Sequence, residues 1–225
     1  TQSSSSFKCP AGRFGDISGL KSADECKRCP AGRYSIIPGI TSGDHCTGRC
    51  SAGKWSSEVG LSSDELCLGR CPAGTFSHEM GLVSDTQCMG RCSAGKWSSG
   101  IGLTSDDQCS LCSAGKWSSE IGLTLDDLCL GRCPAGTYSD KTGLISSEQC
   151  KVCASNKYQD EIGKTICKGC PDNKIIVDTA TASKHDSVDD CEIVVPVCDA
   201  SEYLEDNQCK RCSESFTCDG TVKLD

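Results

Sequence analysis

Apolar positions along this chain come in small, widely spaced pairs that recur every 20 or 21 residues. Aligned on the tetrapeptide Cys-Pro/Ser-Ala-Gly, seven repeats start at Cys9, Cys29, Cys50, Cys71, Cys92, Cys112 and Cys133. Counting the first cysteine of each repeat as position 0, an aromatic stands at position 5: Phe14, Tyr34, Trp55, Phe76, Trp97, Trp117 and Tyr138, with Tyr158 and Tyr203 continuing the series. An aliphatic residue stands at position 11: Leu20, Ile40, Leu61, Leu82, Leu103, Leu123 and Leu144. Between them the chain is polar or glycine. Glycine fills position 3, from Gly12 to Gly136, and position 10, from Gly19 to Gly143, as turns with positive φ require. A polar stretch such as Ser105-Asp106-Asp107-Gln108 then reads as a side-chain-capped turn leading to a second cysteine at position 17.

Each repeat is therefore expected to be a pair of short extended segments folded back at the second glycine and closed by a disulfide. A cross-linked loop of this size is worth about 3 kcal/mol in the chain-entropy account. The aromatic is placed to cover the disulfide of its own repeat or of its neighbour, and nearest-neighbour stacking predicts an elongated rod of ~20-residue single-disulfide units with short β-strands, turns and little helix. Four junctions have three residues, Thr47-Gly48-Arg49, Leu68-Gly69-Arg70, Met89-Gly90-Arg91 and Leu130-Gly131-Arg132, whereas others have two, and the change of one residue is expected to alter the local twist. The recurring arginine either pairs with an acidic turn of the adjacent repeat or stays solvated.

Segmentation follows the pattern. Residues 1–8 form a Ser-rich segment, 9–150 the seven regular repeats, 151–191 two divergent repeats, and 192–225 an atypical acidic cysteine-rich end. Asn156 replaces the first glycine of the eighth repeat, a substitution that left-handed backbone tolerates. Ile175, Ile176 and Val177, with Ile193, Val194, Val195 and Val197, are apolar and β-prone. They are candidates for joining copies by strand pairing, or for a private hairpin within the C-terminal region.

Composition sets the compartment. The 22 cysteines in 225 residues mark a disulfide scaffold, which belongs outside the cell, secreted or on a cell-surface appendage. A net charge of −8 without a basic patch argues against nucleic acid. No apolar run is long enough to span a membrane. The thiolate spacing Cys26-x2-Cys29 followed by Cys46-x3-Cys50 is compatible with zinc, but the array never breaks into fours, and its glycine and aromatic columns have nothing to do with metal binding. Calcium could be held by Asp106-Asp107, Asp126-Asp127 or Asp186 with Asp189-Asp190, although paired aspartates more often form solvated turns. His45, His78 and His185 share no repeat column and read as surface residues. No nucleophile constellation or phosphate loop accompanies them, so neither an enzyme nor a cofactor is expected. No Asn-x-Ser/Thr sequon is present. Ser56-Ser57, Ser98-Ser99 and Ser118-Ser119 are possible O-glycan sites.

The segment Cys-Pro-Ala-Gly-Thr-Tyr-Ser at 133–139, with Gly143-Leu144 and Cys150, resembles the ephrin-receptor-like cysteine-rich repeat. It is also similar to the single-disulfide module of tumour-necrosis-factor receptor repeats, and the likeness runs over roughly residues 9–170. That module implies pairing within each repeat: Cys9 with Cys26, Cys29 with Cys46, Cys50 with Cys67, Cys71 with Cys88, Cys92 with Cys109, Cys112 with Cys129 and Cys133 with Cys150. Extended to the irregular units it gives Cys153 with Cys167, Cys170 with Cys191, Cys198 with Cys209 and Cys212 with Cys218. Long arrays of such repeats are familiar from extracellular proteins of protists and algae, including the mastigonemes of flagella. The resemblance implies a structural protein that self-associates into a fibre or joins other extracellular proteins. The other expectation is a receptor or adhesion ectodomain with a protein ligand.

Overall fold

A computed structural model describes residues 7–172, 174–177, 181–193, 202–205 and 208–211. Among them there is no α-helix; the elements are two-residue strands, two four-residue strands at Glu202–Glu205 and Gln208–Arg211, and single 3-10 turns. The chain divides into two compact units, residues 1–132 with 139–149, and residues 133–138 with 150–225.

One repeat illustrates how local sequence sets local structure. The Lys54 amide donates to the Ser51 carbonyl, closing a turn whose third residue, Gly53, has φ of +74°. A type II turn needs positive φ there, which explains the first glycine column. The strand Lys54–Trp55 leaves this turn, the chain folds back at Gly60 with φ of +81°, and Ser63 in extended conformation leads into the 3-10 turn Asp64–Leu66. Cys67 then bonds Cys50, and the junction strand Gly69–Arg70 returns antiparallel, with Lys54 opposite Arg70 and Trp55 opposite Gly69. Asn156, with φ of +63°, takes the left-handed position in the eighth repeat.

Successive repeats are joined by backbone. Each aromatic residue makes a parallel bridge to the aliphatic residue of the following repeat, from Phe14 with Ile40 to Trp117 with Leu144. Around each bridge run further hydrogen bonds, such as Gly32 N to Ser56 O at 3.1 Å, Ser35 N to Leu61 O at 3.3 Å, Gly60 N to Cys29 O at 2.8 Å and Cys50 N to Gly32 O at 3.0 Å. Contact also reaches beyond the nearest neighbour, which sequence periodicity did not anticipate. A Cβ on Gly12 would lie 2.3 Å from the Gly60 carbonyl oxygen, two repeats away, and Gly32 faces Gly81, Gly53 faces Gly102 and Gly74 faces Gly122 in the same manner. The first glycine column thus serves two purposes, a positive φ and a close approach of backbones.

The junctions keep one strand register whatever their length. Where three residues separate the cysteines, the residue opposite the aromatic is still the one two before the next cysteine, as it is where there are two. The extra residue is absorbed at the second cysteine: Cys67, Cys88 and Cys129 have ψ of 85°, 77° and 80°, against 132° at Cys26 and 137° at Cys109 before two-residue junctions. Leu68, Met89 and Leu130 are thereby pushed into solvent, at 76, 84 and 76% exposure. Strand register is preserved at the cost of exposing an apolar side chain.

Candidate functional site

Nine disulfides close the described repeats: seven with a sequence separation of 17, then Cys153–Cys167 at 14 and Cys170–Cys191 at 21. Cys209 is disulfide-bonded; Cys198, Cys212 and Cys218 lie outside the described residues. Among the described residues the nine pairs take up their cysteines two by two, and no cluster of metal-holding side chains occurs.

The core is therefore built on disulfides, and in the third and fourth repeats the disulfide is covered by an aliphatic residue and by the aromatic of the repeat before it. Leu61 is buried against Cys50 and Cys67 with Tyr34 packed on them, and Leu82 against Cys71 and Cys88 with Trp55. Of the two placements open to the aromatic, the structure takes the neighbour's disulfide. The ring's other face lies on its own junction. A Cβ on Gly48, Gly69, Gly90 or Gly131 would come within 2.2–2.4 Å of Tyr34, Trp55, Phe76 or Trp117, so glycine there is a steric requirement. In repeats seven and eight, whose junctions are two residues long, lysine stands there instead, and Lys151 and Lys168 lie 5.8 and 6.0 Å from the ring centres of Tyr138 and Tyr158, as cation–π pairs do. The side chain of Tyr203 lies outside what is described.

Two chemical kinds of repeat emerge that the sequence columns concealed. Three repeats begin Cys-Ser rather than Cys-Pro, and these same repeats carry lysine at position 4, tryptophan at position 5 and aspartate at position 14. In them the aspartate accepts from the serine amide, which proline lacks, and from the lysine. Asp64 takes Ser51 N at 2.7 Å and Lys54 Nζ at 2.6 Å, and Asp106 and Asp126 do the same with Ser93 and Lys96 and with Ser113 and Lys116. The indole N–H donates to the last junction carbonyl: Trp55 to Arg70 at 3.1 Å, Trp97 to Leu111 at 3.2 Å and Trp117 to Arg132 at 3.1 Å. Burial alone would push these aspartates up, but the lysine ammonium and the serine amide outweigh it and hold all three carboxyls below their ordinary range. The signal was in the sequence as residues that change together from repeat to repeat.

Several expectations are corrected by this arrangement. Of the two alternatives for the junction arginines, Arg49 and Arg91 take the solvated one, whereas Arg70 and Arg132 turn back on their own junctions: Arg70 Nη1 donates to the Cys67 and Gly69 carbonyls, and Arg132 to those of Cys129 and Gly131. The acidic turns are engaged by lysines of their own repeats instead. Ser56, Ser98 and Ser118 are buried, each hydroxyl accepting an amide two residues on, so within those serine pairs only Ser57, Ser99 and Ser119 are open to a glycan. His45 and His78 are exposed, but His185 is fully buried. Its Nδ1 lies 2.7 Å from the Lys157 carbonyl, which only an N–H on that nitrogen can satisfy. Its own carbonyl accepts the Gln159 amide, where an aliphatic residue accepts in the regular repeats. The lengthened ninth repeat thus brings a histidine to the aliphatic position, which no fixed column could show.

Among the candidate assembly residues, Ile175 and Ile193 lie in strands that pair with each other, Lys174 opposite Ile193 and Ile175 opposite Glu192, and Ile176 is buried. The private hairpin is the arrangement present. Val177 is 80% exposed; Val194, Val195 and Val197 lie outside the described residues.

Residues 136–191 match the family described as tyrosine-protein kinase ephrin type A/B receptor-like. No curated protein gives a match to the chain. With that match falling on the seventh to ninth repeats, and the same disulfide-closed unit running back to Cys9, the chain carries an array of ephrin-receptor-like cysteine-rich repeats, disulfide-rich modules of an extracellular type.

Proposed function

We propose that the chain is an extracellular structural protein whose array assembles side by side into a filament, a stalk or a flagellar-hair-like appendage. The observation that carries this reading is a recurring exposed aliphatic residue at position 9. Val59, Met80, Ile101 and Ile121 stand at the turn tips of four consecutive repeats, 45, 59, 65 and 55% exposed. Isolated surface aliphatics need no explanation, but an apolar residue on the same turn of successive similar units offers a neighbouring chain a periodic contact. The near-duplicate segments Ser51–Cys71 and Ser113–Cys133 support it, because repeated surfaces favour repeated lateral contacts. Association through such a surface needs no catalytic group. Electron microscopy of the purified chain at high concentration tests the reading: filaments or lateral bundles are expected, and strictly monomeric particles overturn it.

The family match favours a second reading, a receptor or adhesion ectodomain that binds a protein ligand along the array. A membrane-spanning helix in the full-length gene product would favour this one.

A further inference from the structure

We propose that the Cys153–Cys167 disulfide of the eighth repeat is a thiol-exchange site, opened by a small-molecule thiolate that is then held on Cys167 as a mixed disulfide. The cross-link lacks the cover that regular repeats have, and the sequence shows why. Gly163 keeps the place of the second glycine column, with φ of +72° and its amide donating to the Cys133 carbonyl at 2.7 Å, as Gly143 donates to that of Cys112 at 2.8 Å. The next residue is therefore the one that is aliphatic in the regular repeats, and here it is Lys164. Only three residues then separate Gly163 from Cys167, where six separate Gly143 from Cys150. The shortening falls on the 3-10 turn that each of the seven regular repeats places before its second cysteine, and the eighth repeat has none.

Three observations show the result. Where Leu61 and Leu82 are buried on their disulfides, the Lys164 side chain is 44% exposed and its ammonium pairs with Glu161 at 2.9 Å. The bridge from each aromatic to the next repeat's aliphatic residue ends with Trp117 and Leu144, and none joins Tyr138 to Lys164. Every cysteine of the first six repeats is buried, but Cys167 is half-buried and forms part of the wall of a hollow of about 220 Å³, with Tyr138, Ala154, Lys157 and Ile166. Cys150 and Cys170 are half-buried too, yet their repeats keep a buried Leu144 and a buried Ile176 and His185. The exposed Lys157 side chain makes no hydrogen bond or ion pair among the described residues, so its ammonium can draw in an anionic thiolate and stabilise the departing one. Attack falls on Cys167 because Cys153 is fully buried. The incoming sulfur bonds Cys167 Sγ, the Sγ–Sγ bond breaks, and its electron pair leaves on Cys153 Sγ, which takes a proton from water; no electrons are gained or lost overall. Exposed disulfides are generally the labile ones. The exchange requires no lateral assembly, so its failure leaves that reading untouched.

The test is incubation of the full, oxidised chain with reduced glutathione under native conditions, followed by capping of released thiols with N-ethylmaleimide and peptide mass spectrometry. Glutathione on Cys167 and the cap on Cys153 should appear at least about tenfold faster than opening of any other described disulfide. Lys164→Leu gives the eighth repeat the residue that its neighbours hold, and should slow the reaction by a similar factor. Lys157→Glu should slow it several-fold with glutathione and much less with uncharged β-mercaptoethanol. Four results overturn the proposal: Cys133–Cys150 or Cys170–Cys191 opening first, all cross-links opening together, glutathione appearing on Cys153, or either variant reacting with glutathione as fast as the parent.

Discussion

Gly53 and Gly19 have nearly the same backbone, φ of +74° and +84°, yet different surroundings. A Cβ on Gly53 would lie 2.2 Å from the Gly102 carbonyl oxygen, while on Gly19 it would enter open space. Gly19→Ala should therefore lose only the left-handed penalty, about 1–2 kcal/mol. Gly53→Ala must also move backbone and should lose about 3–4 kcal/mol, the range of a strained or overpacked site. Chemical denaturation of the oxidised variants reads the difference, and equal losses would show that second-neighbour contact is unimportant. Both glycines were legible in the sequence as columns that suit a turn. The second-neighbour approach was not, since a column records that a residue recurs and not what lies across from it. Asp64, Asp106 and Asp126 extend the point. Their carboxyls are held below the ordinary range, so the stability they contribute is present above that range and is lost as pH falls through it toward the folded-state values. Each lysine–aspartate pair is partly exposed and is worth at most about 1 kcal/mol. A triple Asp→Asn variant at these positions should be less stable than the parent at pH 7 and should close the gap as the pH approaches 2, followed by thermal melting. A constant difference would contradict the pairing.

At the scale of the single repeat, the junction shows why length in sequence is a poor guide to geometry. Rotation of ψ at the second cysteine takes up one extra residue, and the strand partner of the aromatic is kept. Deleting Leu68 should hence be tolerated, changing stability by less than about 1 kcal/mol, because the side chain is mostly in solvent and Gly69 remains opposite Trp55. Gly69→Val should instead drive a branched side chain into the indole and destabilise by about 3 kcal/mol or more. Denaturation followed by tryptophan fluorescence distinguishes the two. The strands themselves, only two residues long, could be inferred as extended segments. Which repeat each aromatic would cover could not, because either choice satisfies the same spacing. The ninth repeat was opaque for another reason: its longer loop moves His185 off the column that Leu20 and Leu61 occupy, yet folding returns it to an equivalent place.

Across the array, each repeat is stabilised by its own cross-link, by backbone bonds to its neighbours and by a close approach two repeats away. Disrupting one unit should loosen more than itself. A Cys92→Ser/Cys109→Ser double variant should lose amide protection in its own repeat and in the repeats adjoining it, while the first repeat stays protected, as quasi-one-dimensional coupling predicts. Hydrogen exchange read by mass spectrometry resolves this repeat by repeat; uniform loss throughout the array would mean one global cooperative unit. These predictions rest on the claim that every regular repeat is closed by its own disulfide. Non-reducing proteolysis with mass spectrometry tests that claim most directly. The account predicts fragments joined Cys9 to Cys26, Cys29 to Cys46 and onward to Cys170 with Cys191, unchanged by chelators. Cross-links between different repeats, or free thiols released together with a metal ion, would contradict it.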